Sequence, residues 1–262
     1  MLRASAWLTA AVCAVLALSM ASADAAGHKH AGIPAYITAA VADPGRPEAD
    51  RMRDANRKPA QILAFSGIKP GDKVAELIPA AGYYTRLLSK VVGPSGHVYM
   101  LVPPPSPNGR PGAPDMMTLA KAIAANPEYS NVSIYQLQMS GGFGLPEPVD
   151  LFWTTLNYHD LHNIPNASMA AFNQEVLDAL KPGGIYLMVD HAAAAGTGVS
   201  ETRKLHRIDP AAARKEVEAA GFKYVGHSNV LRNMHDPHTK IVFDPSIRGR
   251  TDRFVFKFRK PG

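Results

Sequence analysis

The sequence predicts an α/β domain with a seven-stranded, mostly parallel sheet and helices on both faces. Five short apolar runs, at 73–78, 97–102, 132–137, 151–156 and 185–189, alternate with segments of helical pattern. Strands that alternate with helices form parallel sheets that are covered on both faces. The first strand, the helix after it and the second strand follow one another within about thirty residues, the length of a βαβ unit.

The remaining elements complete this pattern. Apolar residues among charged ones predict a helix or a broken helix pair over 49–65, and Pro59 suits the first turn of a helix that restarts there. Further helices are predicted over 83–92, 116–125, 168–180 and 210–220. A sixth strand is predicted over 222–231 and a seventh over 253–258. Because a long loop rather than a helix joins these two strands, we expect one of them to be antiparallel.

The amino-terminal segment has the features of a secretory signal. Arg3 precedes an uncharged apolar run over 6–20, and small residues at 21–25 provide cleavage sites. This run is shorter than the roughly 20 residues that a membrane span needs, so we expect no stable membrane anchor. The sequence therefore predicts a signal peptide over 1–25, a flexible leader over 26–47 and a folded domain over 48–262. The protein is expected to be periplasmic or secreted.

Composition narrows the classes of function. The formal net charge is +6, but the basic residues are scattered, so we expect no nucleic-acid partner. The single cysteine, Cys13, lies in the predicted signal, which leaves the rest of the chain without a thiol nucleophile, a thiolate metal site or a disulfide. The sequence has no G-x-S-x-G elbow, P-loop or H-E-x-x-H motif. Nothing in it specifies an oligomeric state.

Six segments carry recognisable motifs: VAELIPAAGYYT at 74–85, NYHDLH at 157–162, LKPGG at 180–184, DH at 190–191, LHRID at 205–209 and FDP at 243–245. Together they resemble the class I S-adenosylmethionine-dependent methyltransferases, and more closely a family of secreted bacterial predicted methyltransferases. The resemblance runs from about residue 51 to the carboxyl terminus. It implies the Rossmann-like methyltransferase fold, S-adenosylmethionine as the cofactor, and methyl transfer to an unidentified small molecule.

The resemblance also implies where the cofactor lies. The residues it assigns to the cofactor are Glu76, Ala80, Gly82, Tyr84, Thr85 and Asn157. In the family, a glycine-x-glycine-x-glycine turn after the first strand lets the backbone approach the nucleoside. Here the three glycine positions hold Ile78, Ala80 and Gly82, and the second strand ends without a carboxylate for the ribose. Ile78 would be strained if its position needs a positive φ.

Polar residues after the fourth strand are candidate catalytic groups, because ligands bind at the carboxyl ends of the strands in such sheets. We expect His159 to act as a general base, Asp160 to orient it and Tyr158 to shape the acceptor site. Alternatively, Asn157 and Asp160 cap the neighbouring loop and helix.

A second group of candidates follows the fifth strand. His191 ends that strand, and His206 could come near it if the loop at 192–198 closes. Arg207 could hold an anion through both of its terminal nitrogens. Alternatively, it pairs with Asp209 or caps a helix.

A non-catalytic alternative is a ligand- or metal-binding protein on a methyltransferase scaffold. The nitrogen and oxygen ligands available to a metal are His159, Asp160, His162, His191, His206, His235 and His238. The spacing of these residues matches no recognised zinc signature, so we assign none of them as a metal ligand.

Overall fold

The computed structural model describes residues 32–104, 115–138 and 141–262. Its strands are β1 Lys73–Leu77, β2 His97–Val102, β3 Val132–Gln136, β4 Val149–Thr155, β5 Leu180–His191, β6 Lys223–Ser228 and β7 Arg253–Arg259. Its helices are α1 Ala35–Ala42, α2 Glu48–Arg51, α3 Asp54–Arg57, α4 Pro59–Ser66, α5 Tyr83–Val92, α6 Met116–Ala124, α7 Tyr158–Leu161, α8 Met169–Ala179, α9 Thr202–Leu205 and α10 Pro210–Ala219. The predicted signal peptide lies outside the described residues. None of the described helices is long and apolar enough to cross a bilayer.

All seven strands belong to one sheet with the order β3-β2-β1-β4-β5-β7-β6. Strands β1 to β5 pair in parallel, and β7 runs antiparallel to both β5 and β6. Neighbours along β1 bury opposite faces, since Val74 packs into one core cluster and Ala75 and Leu77 into the other. The predicted parallel sheet, the coverage of both faces and the antiparallel strand are confirmed.

The predicted break in the helix over 49–65 is also confirmed. Lys58 adopts a left-handed conformation with φ 47° between α3 and α4, and Pro59 is the first residue of α4. Proline suits that position because its missing N–H would have no partner within the helix.

The described part of the predicted flexible leader is instead folded onto the domain, so this prediction is wrong. Ile37 of α1 is fully buried in the core. Arg46 is 1% exposed and forms a bidentate ion pair with Asp54 of α3 at 2.8 and 2.9 Å. The compact unit accordingly begins at Ile33 rather than at residue 48.

The topology brings the ends of three strands to one place. The strand order reverses between β1 and β4, which is the switch point where α/β sheets bind ligands. Leu77 of β1 is in register with Thr154 of β4, and Thr154 with Met188 of β5. The loops that follow these strands therefore start at the same level.

Candidate functional site

The turn between β1 and α5 has a strained backbone. Ile78, Ala80 and Gly82 have φ values of 50°, 52° and 77°. This is the left-handed region that favours glycine, and each non-glycine residue held there costs on the order of 1–3 kcal/mol. Ile78 keeps the conformation while its N–H donates to the carbonyl of Leu101 at 3.0 Å. The positive φ anticipated for Ile78 is thus present.

Gly82 is constrained by packing as well as by φ. A Cβ atom at this residue would lie 2.1 Å from Cδ1 of Ile123 in α6. A side chain at this position would therefore displace the end of the Ile123 side chain and would also be strained by the positive φ. Gly82 shapes the turn rather than lining a cavity.

A cavity of about 270 Å³ opens over the ends of β1 and β4; we call it the turn cavity. Among the residues that line it are Glu76, Ile78, Ala80, Tyr84, Asn157 and Asp160. Five of these six were predicted as site residues, and Ile78 was predicted as a source of strain. Ile78 is half-buried and forms part of the wall without filling the space.

Glu76 forms the acidic part of the turn cavity. Its side chain is buried, and the hydroxyl of Thr85 donates to its Oε2 at 2.5 Å. Burial raises the pKa of Glu76 to about 7, although the hydrogen bond from Thr85 works in the opposite direction. Thr85 thus acts on the cavity through Glu76.

Asn157 joins the ends of β4 and β1. Its Nδ2 donates to the carbonyl of Leu77 at 2.9 Å, and the hydroxyl of Thr154 donates to its Oδ1. The side chain makes no capping bond to α7, so the capping alternative is wrong for Asn157. The residue after β4, Leu156, also has a positive φ of 59°.

Tyr158 lies beneath the site and does not line the turn cavity. It is fully buried, its hydroxyl donates to Oε2 of Glu216 at 2.9 Å, and it accepts from Nδ2 of Asn173 at 2.9 Å. The predicted role in shaping the acceptor site is therefore wrong. Tyr158 instead links α7 to α8 and α10.

His159 lies between two carboxylates. Nδ1 is 2.7 Å from Oδ1 of the fully buried Asp190, and Nε2 is 3.3 Å from Oδ1 of Asp160. Burial alone would lower the pKa of His159, but the charges of Asp190 and Asp160 outweigh it and raise that pKa well above its usual range. These charges therefore favour the protonated form of His159 over the free base that we expected. The group that orients His159 is Asp190, whose Oδ2 also accepts a hydrogen bond from the backbone N–H of His159 at 2.8 Å.

The two remaining candidate histidines have different surroundings. His206, with a positive φ of 55°, has Nδ1 3.0 Å from Oδ1 of Asp160, and its ring centroid is 5.5 Å from that of His159. Its expected partner His191 instead contacts the hydroxyl of Thr251 through Nδ1 at 2.8 Å. Burial and the nearby cations hold the pKa of His191 well below its usual range, so this imidazole is neutral.

Arg207 is a structural residue and not an anion-binding one. It is fully buried, and its two terminal nitrogens donate to both oxygens of Asp236 at 2.9 and 3.0 Å. Asp209, its alternative partner, caps α10 by accepting the N–H of Ala211 at 2.9 Å. Arg207 therefore neither pairs with Asp209 nor is free to bind an external anion, and both of these predictions are wrong.

Three of the seven potential metal ligands converge. Atoms of His159, Asp160 and His206 lie within 4.8 Å of one another. Two imidazoles and a carboxylate suit zinc, iron or copper, and Asp190 would orient the first imidazole from outside. His238 lies elsewhere, with Nε2 3.0 Å from Oδ2 of Asp252.

A second cavity, of about 280 Å³, adjoins the turn cavity; we call it the arginine cavity. Arg53, Arg57 and Leu156 line both cavities. Its other walls include His191, Arg248 and Arg253, together with Val242, Phe243 and Thr251. Spacing in the sequence does not reveal this cavity, because its residues come from in and beside α3, from the ends of β4 and β5, and from the start of β7 with the segment before it.

No protein-family model and no curated protein matches the sequence. Among solved structures, a SAM dependent methyltransferase from Aquifex aeolicus is 20% identical with a TM-score of 0.54, over 80% of this chain and 95% of that chain. The N-methyltransferase NodS from Bradyrhizobium japonicum is 13% identical with a TM-score of 0.52, over 82% and 98% of the respective chains. The [4+2]-cyclase SpnF is 17% identical with a TM-score of 0.54, over 81% and 82%. These likenesses, together with the strand order, show that this chain has the Rossmann-like fold of the SAM-dependent methyltransferases.

Proposed function

We propose that the protein is a S-adenosylmethionine-dependent methyltransferase that acts on a small molecule in the periplasm or outside the cell. The observation that carries this proposal is the open turn cavity at the switch point of the sheet. The backbone beside it keeps a left-handed conformation at three alternating positions, although only one of them is glycine. Backbone strain of this kind is retained where the surrounding structure over-determines it, typically at ligand sites.

The residues of the turn cavity fit the charges of this cofactor. Glu76 and Asp160 would face its cationic groups, since both line the same space. When bound, the cofactor supplies an electrophilic methyl group. Burial opposes ionisation of Asp160, but the neighbouring His159 and His206 hold its pKa below the usual range, so the wall of the cavity stays negative.

The polar network after β4 positions groups rather than removing a proton. His159 is held by Asp190 on one side and holds Asp160 on the other. The two carboxylates raise the pKa of His159 and so favour its protonated form, which has no free lone pair for the acceptor's proton. We infer that the protein contributes mainly by placing the acceptor's lone pair against the methyl group.

The non-catalytic alternative would gain if Ile78 filled the place of the cofactor. Ile78 instead lines an open cavity, which supports the enzymatic function. The likeness to a cyclase shows that the fold alone does not decide the activity. Metal analysis of the purified protein tests the alternative directly, through the cluster of His159, Asp160 and His206.

Calorimetric titration with S-adenosylmethionine at about pH 8, where Glu76 is ionised, tests the proposed function. We expect the cofactor to bind, and Glu76→Gln to bind it at least roughly tenfold more weakly because a charged partner is lost. Glu48→Gln on α2 is the matched control: it makes the same charge change at an exposed position outside the cavity. Absence of binding at millimolar cofactor would exclude the proposed function.

A further inference from the structure

The arginine cavity has an unbalanced charge. Four arginines line it, at 53, 57, 248 and 253, and none of the described lining residues is acidic. The histidine in its wall, His191, is neutral because its pKa is lowered, so it does not offset the charge of the arginines. Guanidinium groups gathered without carboxylates favour an anionic ligand.

Arg57 is the central unpaired cation. It is half-buried, and its side chain makes no hydrogen bond or ion pair with any residue that the structure describes. Its guanidinium carbon lies 4.6 Å from the centre of the Tyr83 ring, which fixes the group at the wall shared by the two cavities. Arg53 beside it is different, because it pairs with Asp50.

Arg253 and Arg248 extend this positive surface. Arg253 is buried and donates only to carbonyls, of Thr251 at 3.2 Å and Asn56 at 2.7 Å. The side chain of Arg248 is exposed and has no hydrogen-bonding partner within the described ranges. Burial lowers the pKa of both Arg57 and Arg253, as expected for cations that lack a counter-charge.

The rest of the wall is apolar. Leu156, Val242 and Phe243 line the cavity, and Phe243 is 53% exposed. A ligand of about this volume would place a hydrocarbon part against these side chains. Its charged end would then face the arginines.

We propose that the arginine cavity holds the oxyanion group of the methyl acceptor, so that the acceptor is a small carboxylate or phosphate with an apolar or aromatic part. That the bound anion is the methyl acceptor rests on the proposed function. Because Arg57 and Leu156 line both cavities, a ligand in the arginine cavity lies next to one in the turn cavity.

Three small probes of similar shape test this by calorimetry: benzoate, phenyl phosphate and the uncharged benzyl alcohol. We expect at least one anion to bind at least about tenfold more tightly than benzyl alcohol. Preference between benzoate and phenyl phosphate distinguishes a carboxylate from a phosphate ligand. Arg57→Gln should weaken anion binding at least about tenfold, and Arg248→Gln, at an exposed residue that cannot endanger folding, should weaken it to a smaller extent.

Arg51→Gln is the matched control, because it removes the same charge from an exposed residue of α2 that lines neither cavity. Equal anion affinity in Arg57→Gln and Arg51→Gln, or equal binding of benzoate and benzyl alcohol, overturns the proposal. S-adenosylmethionine titrated alone into the same samples reports on the proposed function separately. If the cofactor binds and the anions do not, the proposal that the acceptor is an anion is overturned and the proposed methyl transfer is not. If the anions bind and the cofactor does not, the proposal that the bound anion is a methyl acceptor is overturned.

Discussion

The turn after β1 and the segment after β4 hold the two sides of one cavity by different means. The first relies on backbone geometry, with Ile78 and Ala80 in conformations that suit glycine. The second relies on charge, with Asp190, His159 and Asp160 linked in a row. The comparison teaches that a binding cleft can keep its shape in two ways. Packing can hold the backbone in a strained conformation, or buried ion pairs can fix the side chains.

The charged side of this comparison should be the more sensitive to mutation. Asp190→Asn breaks the buried pair with His159, so we expect a loss of about 3–5 kcal/mol in the free energy of unfolding. Urea denaturation measures it. Asp178→Asn on the exposed face of α8 is the control and should change little. Equal losses in the two variants would show that the charged row does not hold this segment.

Glu76 gives the next largest effect, and it depends on pH. Its pKa rises from 4.5 to about 7 on folding, so the folded state binds the proton more tightly and Glu76 costs stability as pH rises through that window. Glu76→Gln should equal the wild type below about pH 4.5 and exceed its unfolding free energy by about 3 kcal/mol above about pH 7.

Urea denaturation across this pH range measures the difference between Glu76→Gln and the wild type. Thr85 and Arg86, which both lower the pKa of Glu76, remain in place in the variant. The exposed Glu48→Gln should show no such trend. A difference for Glu76→Gln that stays flat with pH would contradict the raised pKa.

The backbone side of the comparison gives the smallest effect and the opposite sign. Ala80→Gly relieves a left-handed conformation at an exposed residue, so we expect a gain of about 1 kcal/mol in the free energy of unfolding. Ala81→Gly, next to it, is exposed and lacks a positive φ, and should lose about 0.5–1 kcal/mol. Thermal denaturation compares the two, and a loss in both would mean that the turn is not strained.

Hydrophobic periodicity was sufficient to predict the sheet, because buried strands and covering helices leave a pattern in the residues of each element. It missed α1, whose buried face is short and lies in a segment with several prolines. The start of the fifth strand also differed from the prediction: β5 begins at Leu180 rather than at residue 185, and so includes the LKPGG segment.

The turn cavity could be predicted from the order of the strands, because the carboxyl ends of parallel strands lie at the same edge of the sheet. Glu76, Asn157 and Asp160 line one cavity for that reason. The choice of Asp190 over Asp160 as the partner that orients His159 depends on side-chain directions across 31 residues of chain, which no local pattern encodes. The arginine cavity is likewise assembled from distant segments.

The contact between Tyr84 and Trp153 has an optical consequence. Their rings lie 4.9 Å apart, and Tyr84 lines the turn cavity. The sequence contains two tryptophans, and Trp153 is the one within the described ranges. A molecule that displaces Tyr84 would alter the surroundings of this indole, so that its ultraviolet emission reports filling of the cleft without any added dye.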